Sequence, residues 1–277
     1  MSLRNLASEG SIWFFAFGYF ACYAPYTALT KSLSKGIHPG LDAPIAGVSL
    51  LPVATAASLV VMLIFLTAMG WWGYATQKQV GGRSIPVPTL WTGLSGVCTA
   101  VILTTTTLAY TFEGVSILFV MLLMRGGVLI IAPMVDAMTG RTSRWFSWVG
   151  LGLAMAALVV AFAEQGGYAI SLACAIDITL YLLAYLVRLR FMSKLAKSDD
   201  ADVTRRYFVE EQLVSVPLAM TLLCIGGLIG QGEFLSQIRA GFTTHLASGV
   251  VLATIGIGVL SQGTGIFGTL IYLDKRE

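Results

Sequence analysis

The sequence predicts an all-α fold of eight helices that cross a lipid bilayer. Three observations predict it. Of 277 residues, 56% are hydrophobic and only 11% are charged, less than half the charged share of a soluble domain. The mean hydropathy is +0.81. The apolar residues are gathered into continuous runs of about twenty or more, the length a helix needs to span hydrocarbon. Backbone facing lipid must satisfy its own polar groups, so these runs are helices. Ten-residue alternation, the mark of a membrane barrel, is missing, and so much apolar surface excludes disorder.

The elements follow in order. The first span is predicted over residues 11–30. Tyr, Thr and Pro lie along it and no small-residue cleavage site follows, so it is a spanning helix and not a removed signal peptide. The second, 44–75, is introduced by Pro39-Gly40 and Pro44, and the third, 90–112, by Gly81-Gly82 and the Pro86 and Pro88 pair. The fourth, 115–138, stops before Gly140. The fifth covers 145–163, and Gly166-Gly167 separates it from the sixth, 168–191. The seventh covers 207–229 and the eighth 246–273. The second and eighth are longer than a bilayer is thick, so they are expected to tilt or emerge from it. Residues 193–206 form the longest polar segment and read as a connector.

Charge sets the orientation. With the N-terminus inside, thirteen of the seventeen Lys and Arg residues fall on the inner side and three on the outer, while Arg125 lies within a helix. That bias predicts cytoplasmic termini and an even number of spans. The plasma membrane and an organelle membrane both remain open. The basic residues are scattered between spans, so they give topology and not a nucleic-acid footprint. Cys22, Cys98, Cys174 and Cys224 each sit in an apolar run with no CxxC pair, so they read as small core residues.

The chain resembles itself at an offset of 162 residues. Tyr19 falls on Tyr181, Tyr23 on Tyr185, Lys35 on Lys197, Leu108 on Leu270 and Tyr110 on Tyr272. The matches fall at equivalent places in the first and sixth helices and in the third and eighth. Five helices precede the second copy, so that copy must run upside down, as in many secondary transporters. The expected units are residues 1–163, a five-helix repeat, and 164–277, an inverted repeat that stops about two helices short.

Residues 108–163 carry a family resemblance. A helix ends in Ala109-Tyr110, the next carries Met124-Arg125-Gly126, a Gly140-Arg141 turn follows, and Trp145 opens a Gly-rich helix. This pattern is similar to the end of the first repeat in the drug/metabolite transporter superfamily, in its EamA-like and nucleotide-sugar-transporter-like branches. That family has ten helices where eight are predicted here. The resemblance implies a secondary carrier of a small organic solute, working by alternating access.

Arg125 is the first candidate for chemistry. A central Arg is costly in a spanning helix and is tolerated where it faces a wet cavity or a partner. It reads either as an anchor for an anionic substrate or as a structural clamp. Asp136 lies three turns further on the same face and reads as structural or as lining one path with Arg125. Asp177, Tyr181, Tyr185 and Arg188 form one stripe of the sixth helix. Asp177 reads as a proton carrier or as a salt-bridge partner, for which Arg125 is the candidate. Arg188 is expected to snorkel to the inner surface. Tyr23, Tyr110 and Tyr185 read as cavity contacts or as packing. The hydroxyls of Thr104 to Thr107 can bond back to the backbone.

The eighth helix holds Gly256, Gly258, Gly263, Gly265 and Gly268 around Gln262. No lysine follows, so these glycines allow close helix approach and do not form a nucleotide loop. Gln262 is large, polar and deep, and it reads as a substrate contact. Glu210 and Glu211 are placed at the start of the seventh helix, where acidic groups suit the N-terminus. His38 and His245 give no metal pattern. The expected site is therefore Arg125, Asp177, Tyr23, Tyr110, Tyr185 and Gln262, with no catalytic set, metal or cofactor. The expected partners are a small-molecule substrate and the bilayer, without nucleic acid; a homodimer stays open. Two rival classes are a non-transporting membrane scaffold and a membrane-embedded lipid enzyme. The second needs clustered ligands or carboxylates that the inner loops lack.

Overall fold

The computed structural model describes residues 12–41, 43–110, 112, 116–138, 145–164, 170–196, 200–246 and 248–273. The helices are α1 (Ile12–Ser34), α2 (Gly47–Met69), α3 (Leu90–Ala109), α4 (Ile117–Met138), α5 (Trp145–Glu164), α6 (Leu172–Leu195), α7 (Ala201–Ile229), α8 (Gly232–Phe242) and α9 (Val251–Leu273). A short 3₁₀ turn, Trp71–Tyr74, and a hairpin, β1 (Gln77–Val80) with β2 (Arg83–Pro86), join α2 to α3. The chain is an integral, multi-pass, all-α membrane protein. Among the described residues, seven helices are long and apolar enough to cross a bilayer. In α5 the apolar stretch is shorter by the same measure, Trp148–Val160.

Several sequence expectations are corrected. The long second run does not emerge as one helix. It ends at Met69, where Gly70 takes a left-handed conformation and its N–H bonds the carbonyls of Leu66 and Thr67, a stop that glycine allows without strain. The segment before α3 folds back as an antiparallel hairpin that turns through Gly81 and Gly82, both at positive φ. The supposed connector is mostly helix. Asp200 caps α7 by accepting from the Asp202 N–H, so α7 begins six residues earlier than the apolar pattern predicts. The long eighth run begins only at Val251, after turns at 243–246 and 248–250, and a separate helix α8 precedes it at Gly232–Phe242. Residues 140–144, Glu113, Gly166, Gly167 and both charged termini lie outside the described residues.

The hairpin and α8 mark opposite ends of the bundle. The hairpin follows the last turn of α2, whereas α8 packs on its first turn, where Ser49 Oγ donates to the Gln237 carbonyl. The 23 residues of α2 separate them by roughly 34 Å. α8 shows one apolar face to Leu51 and Leu223 through Ile238. Arg239 ties it to α7 by donating to the carbonyls of Gly227, Leu228 and Ile229 at 2.9, 2.6 and 3.0 Å. Those are the orphan carbonyls of a helix C-terminus, which a cation suits.

The most extensive helix pairings are α1 with α9, α3 with α6, α3 with α7 and α2 with α9; α2 also meets α7, and α4 packs on α6 and α5. Glycine sets two of these distances. A Cβ on Gly258 would run into the Ala54 carbonyl of α2, and one on Gly96 would come within 2.6 Å of Val214 in α7. Of the glycines expected to allow close helix approach, Gly258 and Gly263 do so, whereas a Cβ on Gly265 would meet nothing within 4 Å. The outward surface is apolar, with Phe17, Leu153, Leu228 and Leu252 exposed, as lipid contact requires.

Candidate functional site

A central cavity of about 80 Å³ is lined from α1, α3, α4, α6, α7 and α9. Arg125 of α4 is half-buried in its wall. Tyrosines surround it. Its guanidinium lies 4.7 Å from the centre of the Tyr23 ring and 5.4 Å from that of Tyr19. Its Nε points to the Tyr23 hydroxyl at 3.4 Å and an Nη to the Tyr185 hydroxyl at 3.3 Å. These are long contacts, weak beside an ordinary hydrogen bond. Ring faces attract a cation by their quadrupole but leave its charge uncompensated. No carboxylate pairs with Arg125 among the described residues.

Behind Arg125 the aromatic cluster continues. Tyr23 and Tyr110 share a short hydroxyl–hydroxyl bond, and Tyr26 bonds Thr107 Oγ1 at 2.9 Å. Tyr19 stacks on Tyr23, and Tyr181 lies against Tyr185 with centroids 4.8 Å apart. Of the expected site residues, Arg125, Tyr185 and Gln262 line the cavity. Tyr23 and Tyr110 are buried beneath that lining and fix the Arg125 end of it. Asp177 is not part of the lining. It is buried on α6 and its Oδ2 has no hydrogen-bond partner among the described residues. The salt bridge from Asp177 to Arg125 is not made. Tyr185, the α6 residue that reaches Arg125, lies eight positions further, about 12 Å along the axis.

Arg188 does not snorkel. It is 4% exposed and makes a bidentate bridge to Glu211, Nε to Oε1 at 2.8 Å and Nη2 to Oε2 at 2.7 Å. It also donates to Thr269 Oγ1 at 2.8 Å. Glu211 further accepts from Ser95 and Thr99 at 2.7 and 3.0 Å. Four helices meet in this network, which forms part of the cavity wall through Arg188, Thr99 and Thr269. Buried charge survives because the geometry is bidentate and the remaining lone pairs are filled.

Glu210 is likewise buried, and it is not at the start of its own helix. It caps another one. Its carboxylate accepts from the Thr89 N–H at 3.0 Å and Thr92 Oγ1 at 2.6 Å at the start of α3, and from the Thr76 N–H and hydroxyl at 2.9 and 2.7 Å at the base of the hairpin. The rule that acid suits a helix N-terminus is obeyed across space and not along the chain.

The cavity also holds residues that sequence reasoning passed over. Gln262 Nε2 donates to Gln212 Oε1 of α7 at 2.9 Å, and Ser215 lies one turn beyond Gln212. Their signal was present: Glu211, Gln212 and Ser215 interrupt an apolar helix on one face. Thr104, Thr105, Thr106 and Thr107 each bond a carbonyl four residues back, as expected, and Thr106 also faces the cavity. Among the described residues, no group of three His, Cys, Asp or Glu side chains is placed to hold a metal ion. No family model, curated protein or solved structure matches the chain.

Proposed function

We propose that the protein is a secondary carrier of a small organic anion, built on inverted repeats of the drug/metabolite transporter type, with Arg125 as the anion anchor. The observation that carries this is Arg125 itself: a cation in a spanning helix, at the wall of a cavity, held by tyrosines and without a carboxylate partner among the described residues. A guanidinium in that position is costly, and an anionic solute supplies the missing charge.

The repeat reading draws support from contacts that recur at the 162-residue offset. The bond between Tyr26 and Thr107 has its equivalent in that between Arg188 and Thr269. The ring pair of Tyr19 and Tyr23 corresponds to that of Tyr181 and Tyr185. Gly96 and Gly258, two of several close-approach glycines, are also 162 apart. Exchanging α1 with α6, α2 with α7 and α3 with α9 maps α1–α9 onto α3–α6, and α3–α7 onto α2–α9. Two copies that pack alike can exchange conformations, which is what alternating access requires. On this reading the hairpin end, with Lys78 and Arg83, is cytoplasmic. Asp177 is read as the proton carrier, and no catalytic role is assigned.

The test is flux. Proteoliposomes of the full chain are expected to take up labelled small carboxylates or phosphates, and Arg125→Leu to abolish that uptake while the protein stays folded. Uptake that survives Arg125→Leu undiminished refutes the anchor. The absence of flux for every anion, with correctly folded protein, favours a scaffold. Asp177→Asn is expected to remove any stimulation by a pH gradient.

A further inference from the structure

The cavity has a second chemical end. Resting on the reading of Arg125 as an anion anchor, it says what the rest of the solute looks like. Gln212, Gln262 and Ser215 all line the same cavity as Arg125 and are only 3%, 2% and 1% exposed. The Gln262–Gln212 bond consumes one N–H and one carbonyl oxygen. Each carboxamide began with one oxygen and one NH₂ group. What remains is the Gln262 carbonyl oxygen, the second N–H of its amide and the Gln212 NH₂, with no further hydrogen-bond partner among the described residues. Reversing both amides leaves the same count.

Ser215 adds an independent observation. Its hydroxyl is buried and has no hydrogen-bond partner. Neighbouring hydroxyls behave otherwise: Thr221 of α7 bonds the Pro217 carbonyl and Thr264 of α9 that of Leu260. A serine in a spanning helix satisfies itself in this way by default. Ser215 forgoes that bond and sits in the wall beside an amide pair with spare capacity. Polar groups are buried unpaired where a ligand or water completes them.

We propose that Gln212, Gln262 and Ser215 form a neutral donor–acceptor edge that selects organic anions bearing an amide-like group, such as a carboxamide, ureido or lactam, away from the acid. Such a group presents a C=O beside an N–H. It therefore offers an acceptor to a free N–H and a donor to the free carbonyl of the glutamine pair, while Ser215 donates or accepts as needed. The acid end lies on Arg125 among its tyrosines. A site that hydrogen-bonds a polar group rejects the analogue that lacks it far more strongly than an apolar pocket discriminates by size.

The full chain, purified in detergent, is titrated calorimetrically with ω-carbamoyl carboxylates of about two to six methylenes, a range that scans the unknown span between the two ends. The unbranched monocarboxylates of equal length serve as comparison. At the best length the carbamoyl acid is expected to bind at least tenfold more tightly than its monocarboxylate. Gln262→Leu and Ser215→Ala are each expected to bring that ratio below about threefold. A ratio near one at every length, with monocarboxylate binding still lost in Arg125→Leu, overturns the edge and leaves the anion reading standing. A tenfold ratio that survives in both variants also overturns it. No binding of any carboxylate at millimolar concentration overturns the edge, and if inorganic phosphate does not bind either, the anion reading is overturned with it. The ratio in the unsubstituted protein decides the matter even if a variant fails to fold.

Discussion

Removing both partners of the Arg188–Glu211 bridge should cost less than the sum of removing each alone. The two side chains are 4% and 0% exposed and joined by two bonds of 2.8 and 2.7 Å. Breaking a buried pair from one side costs about 3–5 kcal/mol, because a charge is left buried without compensation. The two halves are not equivalent here. In Arg188→Met, Glu211 keeps the hydroxyls of Ser95 and Thr99 as donors, so the cost falls at the lower end, about 3 kcal/mol. In Glu211→Gln, Arg188 keeps only Thr269 and a neutral amide, so the cost approaches about 5 kcal/mol. The double variant buries no charge and should recover at least about 2 kcal/mol over the sum of the singles. The assay is a double-mutant cycle of unfolding in mixed micelles, followed by tryptophan fluorescence. Additive losses, or Arg188→Met costing more than Glu211→Gln, would refute the argument that the bridge is a coupled and unequally supported pair.

Three further outcomes are expected. Gly258→Val should destabilise by about 1–3 kcal/mol through overpacking against the Ala54 carbonyl, whereas Gly265→Ala, with nothing within 4 Å of the new Cβ, should be neutral or slightly stabilising; the thermal midpoints of the two variants check this. Glu210→Ala removes the shared cap of α3 and the hairpin, so it should cost about 1–2 kcal/mol and expose residues 77–86 to protease; unchanged cleavage rates would count against the cap. His245, buried in the loop before α9 and bonded through Nε2 to Thr254 Oγ1 at 2.8 Å, has its pKa lowered by burial below the usual 6.5. The group is held neutral, so its contribution to stability is present above pH 6.5 and is lost as pH falls through the depressed value. A plot of midpoint against pH should therefore drop below that point, and His245→Gln should flatten the drop.

The spans were legible because the bilayer imposes length and hydropathy on each run, and those are local properties. Their ends were less so. Gly70 stops α2 although Trp71 and Trp72 prolong the apolar run, and Asp200 starts α7 although Arg205 and Arg206 break the hydropathy. In both, backbone capping chemistry decided the boundary. Helix α8 was missed because its 11 residues carry Glu233 and Arg239. It is held by one apolar face and an arginine clamp, not by composition.

The site divides along the same line. Arg125, Tyr185 and Gln262 could be found because each is anomalous within its own helix. Arg188 and Glu211 are just as anomalous, yet each was explained away locally, one as a snorkelling cation and the other as a helix-start acid. The two lie 23 residues apart on successive helices, and only packing through α3 shows that each is the other's counter-charge. Arg125 is the case where packing returns no carboxylate partner among the described residues. That contrast separates the two arginines: in Arg188 the charge is spent on holding four helices together, whereas the open charge of Arg125 is what the proposed anion anchor requires.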